Sequence, residues 1–313
     1  MKNFNVGVIG CGVLGTRHAE IYNRIPDVNL VGVYDTQPDK AKQLADNLGV
    51  IAFETPEAMK KAVDAASVCT PAIHHHKVAV PLLEAGIHLL IEKPITAKLE
   101  DADDLIDIAQ KQNLVLQTGH IERFNGAISA VKKIVKKPIY IECDRIGFYD
   151  PRISDVGVIL DLMIHDIDIL LYFADSPVKE IHAMGMTVIS DSEDFANARI
   201  LFESGAVGNL TASRMAQKRL RKIRIFEERR YISLDYYRQE AQTFTKESAQ
   251  ISESVYMPVD IRKTNPLEEE IKAFTHAIHN NIKPQVDGRD GRAALAVALQ
   301  ILDQIQSKTG SLV

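Results

Sequence analysis

Gly10-Cys11-Gly12-Val13-Leu14-Gly15, between the apolar run at residues 6–9 and the amphipathic stretch at 17–24, decides the fold of this chain. Glycine triplets of this spacing arise by chance, so the position carries the reading: strand, glycine turn and helix open a first βαβ unit. The three glycines have separate tasks. Gly10 allows the tight turn, Gly12 lets the backbone approach a pyrophosphate, and Gly15 lets helix and strand pack closely. Cys11, Val13 and Leu14 fill the loop, and the helix behind it turns free N–H groups toward phosphate charge. Asp35 closes the second strand 20 residues after Gly15, where a carboxylate grips the adenosine ribose hydroxyls. A carboxylate there repels a 2′-phosphate, so the expected cofactor is NAD rather than NADP. An aspartate before Thr36-Gln37-Pro38 also serves a turn, and the two roles are compatible.

Outward from this loop, apolar runs at 30–34, 65–69, 88–92 and 114–118 read as buried strands, with amphipathic stretches at 38–48 and 99–112 between them. Such alternation predicts a doubly wound parallel sheet over residues 1–120, a Rossmann domain. After Gly119 the texture changes. A strand at 139–147 and a helix at 158–173 precede several longer strands of period-2 alternation between 178 and 244, and helices return at 266–279 and 291–306. This predicts an α/β protein whose second domain, 121–313, is α+β with a large open, mostly antiparallel sheet for substrate binding and oligomerisation. The few helices of this half can cover one face only, and an exposed apolar face predicts a homodimer or homotetramer.

The bulk numbers agree. A chain of 313 residues suits two domains, and 46% hydrophobic with 25% charged residues is a globular profile. A net charge of −5, from 37 basic and 42 acidic side chains, argues against a nucleic-acid partner. No apolar run reaches the roughly 18 residues of a membrane helix, and Met1-Lys2-Asn3-Phe4 runs straight into a strand without a signal-peptide pattern. Cys11, Cys69 and Cys143 form neither a metal-ligand pair nor a disulfide framework. The expectation is a cytoplasmic protein without a membrane partner or a metal.

For chemistry, Lys93 stands at the C-terminal end of a parallel strand, where open α/β sheets bind ligands, and Pro94 stops the strand there. Asp161 and His165 are i and i+4 on one helix face. A dehydrogenase needs a base for the hydroxyl proton as hydride leaves, and histidine titrates near neutrality. Aspartate can orient the imidazole or the substrate, while a lysine ammonium favours a developing alkoxide. A lone DxxxH is also a surface ion pair. Here the helix is otherwise apolar, so its acids and histidine are costly unless they face a cleft. Asp168 supports either the helix or a ligand. His120, at the entry to the second domain, is a substrate-contact candidate; His18 reads as structural, and Cys11 is assigned no chemistry. Eight basic residues from Arg214 to Arg230 make either a solvated sheet face or a grip for a diphosphate.

Further segments resemble the Gfo/Idh/MocA oxidoreductases: GCGVLGTRH at 10–18, Thr70-Pro71 with His75, Gly86-Ile87-His88 leading to Glu92-Lys93-Pro94, GHIERFN at 119–125, and DLMIHDID at 161–168. The resemblance extends to the end of the chain, where 265–274 and 284–295 fit the family's closing helices. It implies cofactor contacts at Thr70, Pro71, His75, Glu92 and Lys93, and a catalytic set of Lys93, Asp161 and His165. It implies oxidation of a sugar hydroxyl to a ketone. Segments 119–125, 152–156, 221–226 and 231–236 resemble members that act at C3 of UDP-N-acetylglucosamine, a precursor step toward lipid A. A UDP-sugar carries two diphosphate charges, for which Arg123, Arg152 and Arg214 are candidate ligands beside Asp168. Two departures weaken transfer of specificity from sugar and inositol members: Ser154-Asp155-Val156-Gly157 replaces a glycine-rich run, and Phe226–Arg230 replaces a glycine-containing hairpin. A free-sugar or inositol dehydrogenase and a non-catalytic NAD-binding sensor remain the alternatives; an intact Lys93, Asp161 and His165 argues against the sensor.

Overall fold

Short β-branched runs and capped amphipathic helices alternate through the first unit as the sequence predicts. The computed structural model describes residues 4–149, 156–245 and 255–309. The first unit opens with β1 (Phe4–Ile9), α1 (Val13–Tyr22), β2 (Val28–Tyr34), α2 (Pro38–Leu48) and β3 (Ile51–Ala52). It continues with α3 (Pro56–Lys60), β4 (Ala65–Val68), α4 (His75–Glu84), β5 (His88–Glu92), α5 (Leu99–Lys111) and β6 (Leu116–Gly119). The six strands are parallel in the order β3-β2-β1-β4-β5-β6, the doubly wound order that reverses between β1 and β4. Helix ends follow local chemistry. Proline opens α2 and left-handed Gly49 (φ 71°) closes it, and the Thr55 hydroxyl caps α3 by accepting from the Ala58 N–H at 3.1 Å. Helices cover both faces, so the central strands are mostly apolar: Ala65, Ala66 and Val68 of β4 and Leu89–Ile91 of β5 are fully buried, with Ser67 and Glu92 as buried polar exceptions.

The second unit holds α6 (Gly126–Ile134), β7 (Tyr140–Ile146) and α7 (Ile164–Ala174). Strands β8 (Val178–Met186), β9 (Phe195–Phe202), β10 (Val207–Ser213), β11 (Leu220–Phe226), β12 (Arg230–Asp235), β13 (Glu240–Thr245) and β14 (Val255–Pro258) follow. They form one eight-stranded sheet in the order β14-β13-β12-β11-β7-β10-β9-β8, antiparallel except for the β7–β10 pair. Burial alternates along β7: Ile141, Cys143 and Arg145 face the helices, while Tyr140, Glu142 and Asp144 face outward and are only half-buried. The outer face is therefore polar and aromatic rather than the apolar face expected, with Arg224 on β11 paired to Glu142 and, at 3.0 Å, to Asp144. Among the described residues no helix is long and apolar enough to cross a membrane.

One domain assignment needs correction. The closing helices are α8 (Pro266–Asn280) and α9 (Gly288–Thr309), and the segment Leu267–Leu295 belongs to the first unit, with Met1–His120, not to the second. Its packing gives the reason. Gln117 of β6 donates from Nε2 to the Glu270 carbonyl at 3.1 Å, and a Cβ on Gly291 would lie 2.4 Å from the Thr118 hydroxyl, so the start of α9 packs directly on the Thr118 side chain of β6.

Candidate active site

The glycine loop is built as its spacing requires. Gly10 is left-handed (φ 94°), and a Cβ there would stand 2.6 Å from the Cys69 carbonyl oxygen; a Cβ on Gly15 would stand 1.7 Å from the Gly10 carbonyl oxygen. A Cβ on Gly12, by contrast, would meet nothing within 4 Å. Gly12 is also the N-cap of α1 and supplies no side-chain cap, so the first N–H groups of that helix are left for a ligand. A cavity of about 760 Å³ opens there, walled by Gly10, Gly12, Asp35, Thr70 and Pro71. Asp35 is held rigidly at its rim: one carboxylate oxygen accepts from the Cys11 N–H at 2.7 Å and the other from the Gln37 N–H at 2.8 Å. The Thr70 hydroxyl is buried without a hydrogen-bond partner among the described residues, an orphan that a bound dinucleotide would satisfy. An open glycine cradle, a rim carboxylate and an orphaned hydroxyl fit NAD. Burial, aided by Asp35, pushes the Cys11 thiol up to about 12, so it stays an inert thiol.

Several expected contacts are spent elsewhere. His75 is fully buried; its Nε2 lies 2.7 Å from the Thr70 carbonyl and its Nδ1 3.0 Å from the Pro94 carbonyl. The ring ties the loop after β4 to the segment after β5 and does not line the cavity. Burial lowers its pKa against the pull of those carbonyls. His74 and Lys77 line the cavity instead; with Pro81 they recur at helical spacing along the start of α4, a signal that could have found them. Glu92 likewise faces inward, with Oε1 3.0 Å from His18 Nε2 and Oε2 accepting from the Lys93 N–H at 3.2 Å. Burial works to raise its carboxyl, but the His18 bond and the Lys93 N–H and charge hold it below the usual range. Lys93 itself is half-buried at the end of β5.

In the second unit the helix expected at 158–173 begins as a π-helical turn, Ile159–Met163, and becomes α7 at Ile164. Such widened turns concentrate at functional sites. Asp161 sits on the π turn and His165 on the first turn of α7, both half-buried, whereas Asp166 and Asp168 are buried. The buried pair are answered by arginines. Asp166 takes Arg145 Nε at 2.7 Å and the Tyr236 hydroxyl at 2.8 Å. Asp168 takes Arg123 in a two-pronged bond of 2.7 and 2.8 Å. Arg123 and Asp168, expected at the substrate, thus neutralise each other within the domain. Arg214 is 4% exposed and bonds Asp194 at 2.7 Å. Although burial opposes it, backbone N–H groups and Arg214 hold Asp194 well below the carboxylate range, so this arginine too is tied into the fold. Arg152 lies outside the described residues, and His120 is buried. Beside Asp161 a smaller cavity, about 180 Å³, is lined by Leu162, Phe148, Arg219 and Arg221 among others. Arg219 stacks over Phe148 at 5.6 Å, and Arg221 reaches Glu122 only at 3.4 Å.

Residues 4–120 match the family described as "Oxidoreductase family, NAD-binding Rossmann fold", and residues 140–233 match the Gfo/Idh/MocA C-terminal domain. The chain belongs to the Gfo/Idh/MocA family. This Gfo/Idh/MocA protein is 37% identical over 305 residues to the UDP-N-acetylglucosamine 3-dehydrogenase of Acidithiobacillus ferrooxidans, covering 96% of this chain and 97% of that one. The solved structure of that enzyme superposes with a TM-score of 0.93 over 98% of this chain and 99% of the other, at 36% identity. A myo-inositol 2-dehydrogenase of Thermotoga maritima is 30% identical, over 97% of this chain and 96% of its own length. The Gfo/Idh/MocA chain described here is accordingly an NAD-dependent dehydrogenase of the sugar-oxidising kind, with an NAD-binding Rossmann domain.

Proposed function

We propose that this enzyme oxidises the C3 hydroxyl of UDP-N-acetylglucosamine to the ketone with NAD as acceptor. The observation that carries the reading is the Acidithiobacillus relative, similar over nearly the full length of both chains. Charge accounting supports it. Arg123, Arg214, Arg224 and Arg230 are each paired with a carboxylate, whereas Arg219 and the partly exposed Arg221, 3.4 Å from Glu122, line the small cavity beside Asp161 and are candidates for a diphosphate. Free inositol would need neither.

NAD, when bound, supplies the hydride acceptor. His165 takes the hydroxyl proton as C3 loses hydride, and Asp161, one turn before it, orients the imidazole. The Lys93 ammonium donates to the same oxygen and stabilises alkoxide character as it develops. The balance is alcohol plus NAD⁺ to ketone, NADH and one proton. The product is a 3-keto sugar nucleotide suited to an aminotransferase, consistent with a cytoplasmic step toward lipid A. The Thermotoga relative favours a second reading, inositol oxidation. The test is NADH formation, followed by absorbance, with UDP-N-acetylglucosamine, free N-acetylglucosamine and myo-inositol. Turnover of the first, with the two free compounds far weaker, is the expected result; equal turnover of a free compound discards the diphosphate argument.

A further inference from the structure

Behind Lys93, on the inner side of the first unit, lies a sealed polar cluster outside the proposed chemistry. His18 of α1, Glu92 of β5 and Glu270 of α8 each bring a ligating atom within 4.8 Å of the others. His18 and Glu270 show no exposure and Glu92 shows 7%. The hydrogen bonds orient in one direction. The Tyr22 hydroxyl lies 2.9 Å from Ser67 Oγ, Ser67 Oγ lies 3.0 Å from His18 Nδ1, and His18 Nε2 lies 3.0 Å from Glu92 Oε1. Tyr22 is buried and its hydroxyl pKa is strongly raised, so it donates to Ser67. Ser67 then donates to Nδ1 and the Nε2–H donates to Glu92, an assignment of tautomer from partners. With the Lys93 N–H on its other oxygen, Glu92 only accepts, as an ionised carboxylate does.

Glu270 is the remainder. Both of its carboxyl oxygens are buried with no hydrogen-bond partner among the described residues. Two carboxylates this close in a dry interior cannot both ionise. Glu92 has the donors and faces the Lys93 charge, whereas Glu270 faces only Glu92. The other titratable neighbours, Tyr22 and Cys69, hold their protons, Cys69 because burial and both glutamates raise it. We propose that Glu270 carries a proton in the working enzyme and, as a neutral carboxyl against Glu92, keeps the cluster at the single negative charge that positions Lys93. This makes Glu270 a positioning residue, and its link to turnover rests on the role assigned to Lys93.

The sign of the pH dependence follows from linkage. Glu270, at 4.5 when unfolded, is raised well above that in the native protein. Between those limits the folded state binds one proton more, so stability is highest at the acid end of the window and falls as pH rises through the native value. Glu270→Gln, a permanently neutral isostere, lacks this loss. Thermal unfolding of wild type and Glu270→Gln from mildly acid to alkaline pH should show Tm values diverging, the variant gaining with pH. Infrared difference spectra near neutral pH should show a protonated-carboxyl band in wild type that is missing in the variant. In turnover, Glu270→Gln, which keeps the site neutral, should hold its kcat within about threefold of wild type at unchanged KM for NAD. A pH-independent Tm difference, or an absent carboxyl band, overturns the proposal. So does a stoichiometric divalent metal by elemental analysis, which would make the three side chains ligands instead. The unfolding and infrared readouts need no substrate, so failure of the sugar-oxidation reading leaves them standing.

Discussion

His165 and Asp161 remain half-exposed on a helix whose other two acids are buried and matched by arginines, and that difference sets the expected effects of mutation. His165→Ala and Lys93→Ala should each lose roughly 10²–10⁴-fold in kcat, the usual worth of a proton-transfer or charge-stabilising group. NADH affinity, followed by fluorescence titration, should stay near wild type in His165→Ala. A His165→Ala enzyme that kept more than about a tenth of wild-type kcat would take the histidine out of its role. At this scale the sequence was most informative where chemistry is local. Gly10, Gly12, Gly15 and Asp35 act through spacing within one βαβ unit, and their positions follow from it. Arg123, expected at the substrate, and Asp168, read as supporting either the helix or a ligand, pair with each other across 45 residues, and no local pattern tells a buried arginine with a carboxylate from one awaiting a phosphate. His75 failed similarly: its partners are backbone carbonyls, which leave no mark on the sequence.

The element that carries Asp161 and His165 is held to its sheet by ions. Asp166 of α7 binds Arg145 of β7, which is 3% exposed, and Arg145 also reaches Glu122 at 3.3 Å. Removing the partner of a buried charge is costly, so Asp166→Ala should destabilise the protein by about 3–5 kcal/mol, read as a lowered denaturant midpoint at unchanged m-value. Loss of less than about 1 kcal/mol would mean that Glu122 and Tyr236 suffice to satisfy the arginine. Element boundaries were legible where sequence carries punctuation: α2 between Pro38 and Gly49, β5 between Gly86-Ile87 and Lys93-Pro94. The two-residue strand β3 is too short to show a period, and α4 was obscured by three histidines at its start and Pro81 inside it. The π turn was invisible for a physical reason. Its apolar run suits an α-helix equally well, and only packing reveals the wider turn.

At the scale of the whole chain, a helix's amphipathic pattern says that it covers a sheet but not which one, and for that reason Leu267–Leu295 was assigned to the wrong unit. The same logic of coverage bears on assembly. In the second unit α6 and α7 pack on one face of the eight-stranded sheet, and Ile305 of α9 lies against Gly185 on β8. The opposite face has no helix among the described residues. Strands spaced about 4.8 Å apart and roughly 20 Å long give that face about 800 Å², which is the area each partner buries in a standard protein interface. At one end of its central strands lies an aromatic cluster, Phe226 with Tyr140 at 5.8 Å and Tyr231 at 4.9 Å between ring centroids, and such rings are enriched at interfaces. Of its charges, Arg224, Glu142 and Asp144 are already paired within the protomer, so covering that group strands no lone ion. We therefore expect a homodimer or homotetramer paired through this face, even though it is more polar than the sequence suggested. Light scattering on the purified protein should give at least twice 34.8 kDa, and Phe226→Glu should shift it toward the monomer while leaving NADH binding intact. A wild-type monomer at micromolar concentration would show that the sheet is solvated in solution.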